Sequence, residues 1–301
     1  MPEIAHPFSS PGRWWRGNLH THTTRSDGHK TPQDAVQWYA DHGYDFVVIT
    51  DHRRAPEKED LTPPRDGFLV IPGTELDFTD RETKLGHHIV CIGVDDHIQL
   101  PEAVTIQEAL DIAASRADVA YIAHPYWFGH DFGAYRGVKG HSGIEIYNAT
   151  CEYFCCKGDS TAYWDSLLKS EPLWGFAADD AHWSRKDFGA GWVNVKAESL
   201  TREAITTALK TGQFYSSTGP VIEKVEVSET SVYIKTSPVD RIALIGPGYW
   251  GRLVAASHGQ TISEAEFKLG GNVSLASRYL RLQAVDPNGK VAWTNPIVWN
   301  G

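Results

Sequence analysis

Gly17-Asn18-Leu19-His20-Thr21-His22 and, further along, Asp45-Phe46-Val47-Val48-Ile49-Thr50-Asp51-His52 are the segments that decide the fold. The second is a continuous apolar run closed by an acid and a histidine. Such a run suits a strand buried on both faces, as in a parallel sheet flanked by helices. The first ends on two histidines spaced by two, and strand alternation puts both imidazoles on one face. Two strand ends carrying metal-capable side chains set the pattern for the rest of the chain.

The pattern continues outward. Strands are expected over residues 18–21, 45–50, 68–75, 88–93, 119–123, 144–147 and 173–178, with amphipathic helical stretches between them. Thr31 is placed as an N-cap with Pro32 at the first helical position, and Gly43 closes that helix. Thr105 and Glu108 form a capping box, and Thr201 and Gly212 bracket another helix. This alternation predicts an α/β barrel or layered α/β domain over residues 1–219. Beyond Ser217-Thr218-Gly219-Pro220, residues such as Val221, Val225 and Val227 alternate with charged ones. Asp286-Pro287-Asn288-Gly289 is a turn cluster. Residues 220–301 are therefore expected to form a small, sandwich-like all-β domain.

The chain has 301 residues, 41% of them hydrophobic, including 11 tryptophans, which suits a globular protein with a substantial core. A formal net charge of −10 argues against long-range attraction to nucleic acid or an anionic membrane. It does not exclude an anionic substrate, because bound divalent cations invert the local field. No apolar run approaches the ~20 residues of a membrane helix, and no secretory leader is apparent. Cys91, Cys151, Cys155 and Cys156 include no CxxC pair, and the adjacent Cys155-Cys156 is a poor disulfide framework. They are expected to be reduced thiols of a cytoplasmic protein.

The metal-capable residues fall where strands begin or end. Asp27 follows His20 and His22 in the loop Ser26-Asp27-Gly28. Asp51-His52, Glu75, the pair His87-His88, His124 and then Asp180 with His182 mark the later strands. Ends of successive parallel strands converge on one rim, where such folds build their sites. A lone histidine there is more often structural. Burying so many polar groups together, however, costs ~1–3 kcal/mol each unless they are paired. A cluster of cations satisfies them at once.

In order and spacing, these motifs resemble the PHP (polymerase and histidinol phosphatase) family of metal-dependent hydrolases. The resemblance covers residues 17–219 and rests on Asn18-Leu19-His20-Thr21-His22, Ser26-Asp27-Gly28, Thr50-Asp51-His52, Gly73-Thr74-Glu75, the histidine before residues 89–93, Ala123-His124-Pro125 and Asp180-Ala181-His182. It implies a distorted seven-stranded β/α barrel that binds two or three divalent ions (Zn, Mn or Fe). By motif, His20, His22, Glu75 and Asp180 hold the first ion. Glu75 bridges to a second, bound also by His88 and His124, with His87 competing for the place of His88. Asp27, His52 and His182 complete a third site. Asp51 and Asp179 orient their neighbours. The C-terminal region resembles the appendage of stand-alone members of the carbaryl-hydrolase-like branch.

The expected reaction is hydrolysis of a small phosphate ester by a metal-bridging hydroxide, with Asp180 or His182 supplying the leaving-group proton. The same cluster also suits an amide, carbamate or carboxylic ester, and a non-catalytic metal-stabilised scaffold is the alternative of a different class. The expected partner is a small molecule, with no nucleic acid and no membrane. Arg53, Arg54, Arg136, Lys139, Arg185 and Lys186 are candidates to neutralise a phosphate, each more simply a solvated surface charge. Tyr126, Trp127, Phe128 and Trp183 flank the motifs and suit either rim packing or a substrate ring. His29, His130 and His141 lie in nearby loops. Glu145 and Asn148, at the sixth strand's end, face the site without ligating.

Overall fold

The computed structural model describes residues 4–270 and 279–299. In chain order its elements are β1 (Ile4–Ala5), β2 (Arg13–Asn18), α1 (Pro32–Asp41), β3 (Phe46–Ile49), β4 (Leu69–Thr79), β5 (Gly86–Val94), α2 (Ile106–Arg116), β6 (Ala117–Ile122), α3 (Pro125–Phe128), β7 (Gly143–Asn148), α4 (Ala149–Cys155), α5 (Thr161–Leu167), β8 (Trp174–Ala178), β9 (Trp192–Ala197), α6 (Arg202–Lys210) and β10 (Phe214–Ser217). A β-rich region follows: β11 (Ile222–Val227), β12 (Ser231–Val239), β13 (Arg241–Ile245), β14 (Gly251–Ala255), β15 (Ile262–Lys268), β16 (Arg281–Val285), β17 (Val291–Thr294) and β18 (Val298–Trp299).

The capping residues act as their types suggest. The Thr31 side chain accepts from the Asp34 amide ahead of Pro32, and Gly43 follows the helix at φ +78°. Thr105 and Glu108 complete a reciprocal capping box on α2, and Thr201 caps α6. In β3, Phe46 and Val48 join the inner core with Trp15, Leu19, Ile71, Val90, Tyr121 and Phe176. Val47 and Ile49 pack outward beneath α1 with Val36, Tyr39 and Tyr44. Burial on both faces is what the unbroken apolar run required.

One large sheet has the strand order β14-β13-β16-β17-β10-β9-β2-β3-β4-β5-β6-β7-β8. The expectation of successive parallel strands needs correcting. β2–β3–β4 and β6–β7–β8 pair in parallel, but β5 is antiparallel to both its neighbours, and β9 is antiparallel to β2. The cause is local. Only residues 80–85 separate β4 from β5, far fewer than a crossover helix needs. Asp80 tightens the turn by accepting from the Glu82 and Thr83 amides, both at 2.8 Å. Reversal puts the start of β5, with His87 and His88, at the end of the sheet where the parallel strands finish. The first strand also lies earlier than residues 18–21, so His20 and His22 follow β2 rather than end it. The far end of the sheet returns to this segment: the His22 amide donates to Ala181 O (3.0 Å) and the Asp180 amide to His20 O (2.9 Å).

After residue 219 the chain adds β13, β14, β16 and β17 to the large sheet through β10, while β11, β12 and β15 form a three-stranded sheet. The two layers share a core of Ile222, Val232, Ile234, Ile242, Leu244 and Leu282. Trp14 and Trp15 stand at successive positions of β2 and face opposite ways, Trp15 into the inner core and Trp14 against the β-rich layer. Asn295 ties the seam, accepting from the Gly175 amide (2.9 Å) and donating to Phe214 O (3.1 Å). All four cysteines are unpaired. No helix among the described residues is long and apolar enough to cross a membrane.

Candidate metal centre

Backbone restraint brings the first donors together. The Asn18 side chain donates to His20 O (2.9 Å) and accepts from the Asp179 amide (2.9 Å), joining the end of β2 to the end of β8. The Thr21 amide donates to Thr50 Oγ1 at 2.9 Å. Held this way, His20 and His22 turn their Nε2 atoms to within 3.1 Å of each other. Glu75 Oε2 lies 3.3 and 3.2 Å from these nitrogens, and Asp180 Oδ1 lies 3.3 and 3.0 Å from them. All four side chains are buried.

The other oxygen of Glu75 faces a second group. Oε1 is 2.8 Å from His88 Nδ1 and 3.2 Å from His124 Nε2. His87, one residue earlier on β5, points to the opposite face. Its Nδ1 is 3.2 Å from the Tyr135 hydroxyl, which His130 also meets at 2.8 Å. Burial, with His130 adding to it, pulls the His87 pKa down to about 4.

The third group is more open. Asp27 Oδ2 is 3.3 Å from His182 Nε2 and 3.7 Å from His52 Nε2, and Oδ1 is 3.5 Å from His22 Nδ1. His52 Nδ1 also lies 3.3 Å from Glu75 Oε2 and 3.4 Å from Asp77 Oδ1. Asp77 was missed in the sequence, although it stands two residues after Glu75 on β4 and period-two alternation would have found it. Burial would raise its pKa, but His52 and Arg53 outweigh that and draw it down to about 2.

A surrounding shell holds these groups. Glu145 is fully buried and takes the His20 Nδ1 at 2.7 Å, leaving Nε2 to face the cluster. It also accepts from the His124 amide (2.9 Å) and from Asn148 (2.8 Å), and Asn148 donates to Asp180 Oδ2 at 3.1 Å. Asp51 accepts from the Thr23 amide (2.8 Å) and the Ser26 hydroxyl (2.6 Å), setting the loop that presents Asp27. Asp179 collects the amides of Gly189, Ala190 and Gly191 at 2.7–2.9 Å. Burial, partly offset by these amides, lifts its pKa to about 6. Asp187 had no signal in the sequence. It accepts from the His182 amide at 3.2 Å and from Thr150 at 3.1 Å.

Two features mark the cluster as built for a ligand. His124 (φ 26°), Asp180 (φ 56°) and Trp183 (φ 66°) hold left-handed backbone that costs non-glycine residues ~1–3 kcal/mol each, and such strain gathers at functional sites. Buried Asp180 Oδ1 and His52 Nδ1 face other cluster side chains without making a well-formed hydrogen bond. A cation satisfies such atoms, and mixed imidazole and carboxylate donors suit Zn, Mn or Fe. The electrostatics agree. Burial opposes charge on Glu75, Asp180 and His22, yet opposite charges prevail: Glu75 and Asp180 are held well below the usual carboxylate range, and His22 is raised to about 10.

The cluster opens into a cavity of ≈320 Å³, which His29, Trp127, Phe154 and Arg185 also line. His130 and His141 lie buried outside it. Tyr126 sits at the surface and Phe128 packs against His88 and His130, while Trp183 is held by donating to His22 O at 3.0 Å.

No protein-family model matches the chain. Over 133 residues, 36% of its length, the chain is 26% identical to the DNA polymerase/3'-5' exonuclease PolX of Bacillus subtilis, and the match spans 23% of that protein. A two-domain Bacteroides vulgatus protein containing a predicted PHP-like metal-dependent phosphoesterase superposes with a TM-score of 0.47 at 16% identity, covering 96% of this chain and 98% of that one. An amidohydrolase from Chromobacterium violaceum, solved with bound sulfate and no metal, aligns with this chain at a TM-score of 0.43 and 15% identity, over 57% of this chain and 89% of that one.

Proposed function

We propose that this chain is a PHP-family metal-dependent phosphoesterase acting on a small phosphate ester. The observation that carries the reading is the convergence of His20, His22, Glu75 and Asp180 on one buried point, with the second oxygen of Glu75 turned to His88 and His124. His20, His22, Glu75 and Asp180 would hold one divalent ion, Glu75, His88 and His124 a second, and Asp27, His52 and His182 a third. Strands β2–β8 are the seven of the PHP barrel in this reading, and residues 220–301 are an accessory β domain that supplies no ligand.

Bound ions would lower the pKa of water toward neutrality and neutralise the oxygens of the group under attack. The chain's own residues do the rest. Glu145 and Asn148 keep His20 and Asp180 aimed at the centre. With the third ion absent, His182 at the cavity wall would hand a proton to the leaving oxygen, and Asp180 beneath it favours the protonated imidazole. The second reading, hydrolysis of an amide, carbamate or carboxylic ester by the same cluster, draws on the apolar mouth formed by Trp127 and Phe154. A scaffold without catalysis is disfavoured, because the cluster opens to a cavity able to admit a substrate.

Protein stripped by a chelator is expected to lose turnover of an aryl phosphate, and to regain it with Zn, Mn or Fe. Equal turnover before and after stripping would overturn the reading. Glu145→Gln keeps the size of the side chain but loses its charge. It is expected to weaken metal retention roughly 10- to 100-fold, as changes beside a metal ligand do. Chelator competition measures this, and unchanged retention would remove Glu145 from the supporting shell.

A further inference from the structure

Arg185 stands apart from the other arginines around the metal centre. Arg53 is pinned to Asp77 through two nitrogens, Arg25 pairs with Asp60 at 2.9 Å, and Arg54 lies 3.6 Å from Glu57. Arg185 has no ion-pair partner among the described residues. Its guanidinium lies over the Phe154 ring, 4.5 Å from the centroid. Among the described residues no other lysine or arginine lines the cavity, where Asp27, Glu75, Asp180 and Asp187 contribute carboxylates. An arginine stacked on a ring keeps its nitrogen donors in a rigid fork suited to a phosphate or carboxylate.

The rings beside it are also unusually open. Phe154 is 57% exposed and Trp127 37%, although both line the cavity. Trp127 stands edge-on to His124, with ring centroids 5.2 Å apart, so its surface adjoins the cluster. Among the described residues the cavity thus offers one cation without an ion-pair partner and two accessible aromatic surfaces around the same donors. Exposed aromatic faces in a concave site suit a flat, apolar group.

We propose that Arg185 grips the anionic group of the substrate and that Trp127 and Phe154 hold a flat leaving group, so that the site takes aryl or heteroaryl phosphomonoesters. This deepens the phosphoesterase reading and rests on it, because the cavity carboxylates repel an anion until cations neutralise them. Arg185 is a binding and specificity residue, and the proton transfer assigned to His182 does not depend on it.

The test uses the full, metal-loaded chain and the variants Arg185→Met, Arg185→Lys and Trp127→Ala. Inorganic phosphate is titrated calorimetrically, and kcat and KM are measured for phenyl phosphate and ethyl phosphate. Arg185→Met is expected to weaken phosphate binding and raise KM together, by roughly 10- to 100-fold, with metal content and thermal midpoint unchanged. Arg185→Lys recovers part of the loss, because a point charge lacks the fork. Trp127→Ala lowers the preference for phenyl over ethyl phosphate. Unchanged phosphate affinity in Arg185→Met, or a fall in kcat alone, overturns the anion grip, and an unchanged phenyl preference overturns the aromatic one. Wild-type protein that binds phosphate through Arg185 but turns over no phosphate ester supports the anion grip while removing the phosphoesterase reading. Wild-type protein that binds no phosphate removes the anion grip itself.

Discussion

A chain carrying both His20→Ala and His22→Ala is expected to lose the buried metal and at least about a thousandfold in kcat/KM, while keeping its secondary structure. The two imidazoles supply half of the donors that meet within 3.0–3.3 Å at the first site. Without them, Glu75 and Asp180 face each other with no cation between them, and one of the pair takes up a proton. The fold survives because backbone and neighbouring side chains hold this segment. The His22 amide still reaches Ala181 O, and Asn18 still bridges the ends of β2 and β8. Elemental analysis and circular dichroism on the same sample separate loss of metal from loss of fold. Full metal content and full activity in the double variant would sink the assignment.

Metal-replete protein is expected to prefer an aryl phosphate to an aryl carbamate with the same leaving group. The two substrates make different demands. A phosphoryl group in transit spreads negative charge over several oxygens, and a cluster of up to three cations beside Arg185 matches that charge. A carbamate carbonyl develops charge on one oxygen and gains less from the same field. The aromatic walls serve both substrates equally and do not decide between them. Comparing kcat/KM for the pair isolates the bond that is cleaved. A preference for the carbamate beyond about a hundredfold, ~2.7 kcal/mol of discrimination, would overturn the phosphoesterase reading in favour of the alternative.

Much of this could be read from local chemistry. The run Phe46-Val47-Val48-Ile49 required cover on both faces, and the caps at Thr31, Thr105 and Thr201 required helix starts there. Each signal lies within a few residues and needs no knowledge of distant contacts. The same holds for the candidate donors, because a histidine or carboxylate at the edge of an apolar run stands out wherever the chain later goes. The turn over residues 80–85 was not legible. Strands expected at 68–75 and 88–93 leave room for a crossover, and only the longer β4 and β5 make the connection too short for one, so that β5 runs backwards and presents His88 on the shared rim.

What only the tertiary structure decided was which way side chains point and what they meet. His87 and His88 are indistinguishable as residue types. Pairing of β5 with β4 turns His88 to Glu75 and sends His87 to Tyr135. Glu145 meets His20 and His124, 125 and 21 residues away, and Asp187 meets Thr150, 37 residues away, separations at which local pattern carries no information. Arg185 in sequence is one of several basic residues on loops. Its standing as the single lysine or arginine at the cavity wall among the described residues follows from where Asp77, Asp60 and Glu57 claim the others, and that outcome depends on three-dimensional neighbours alone.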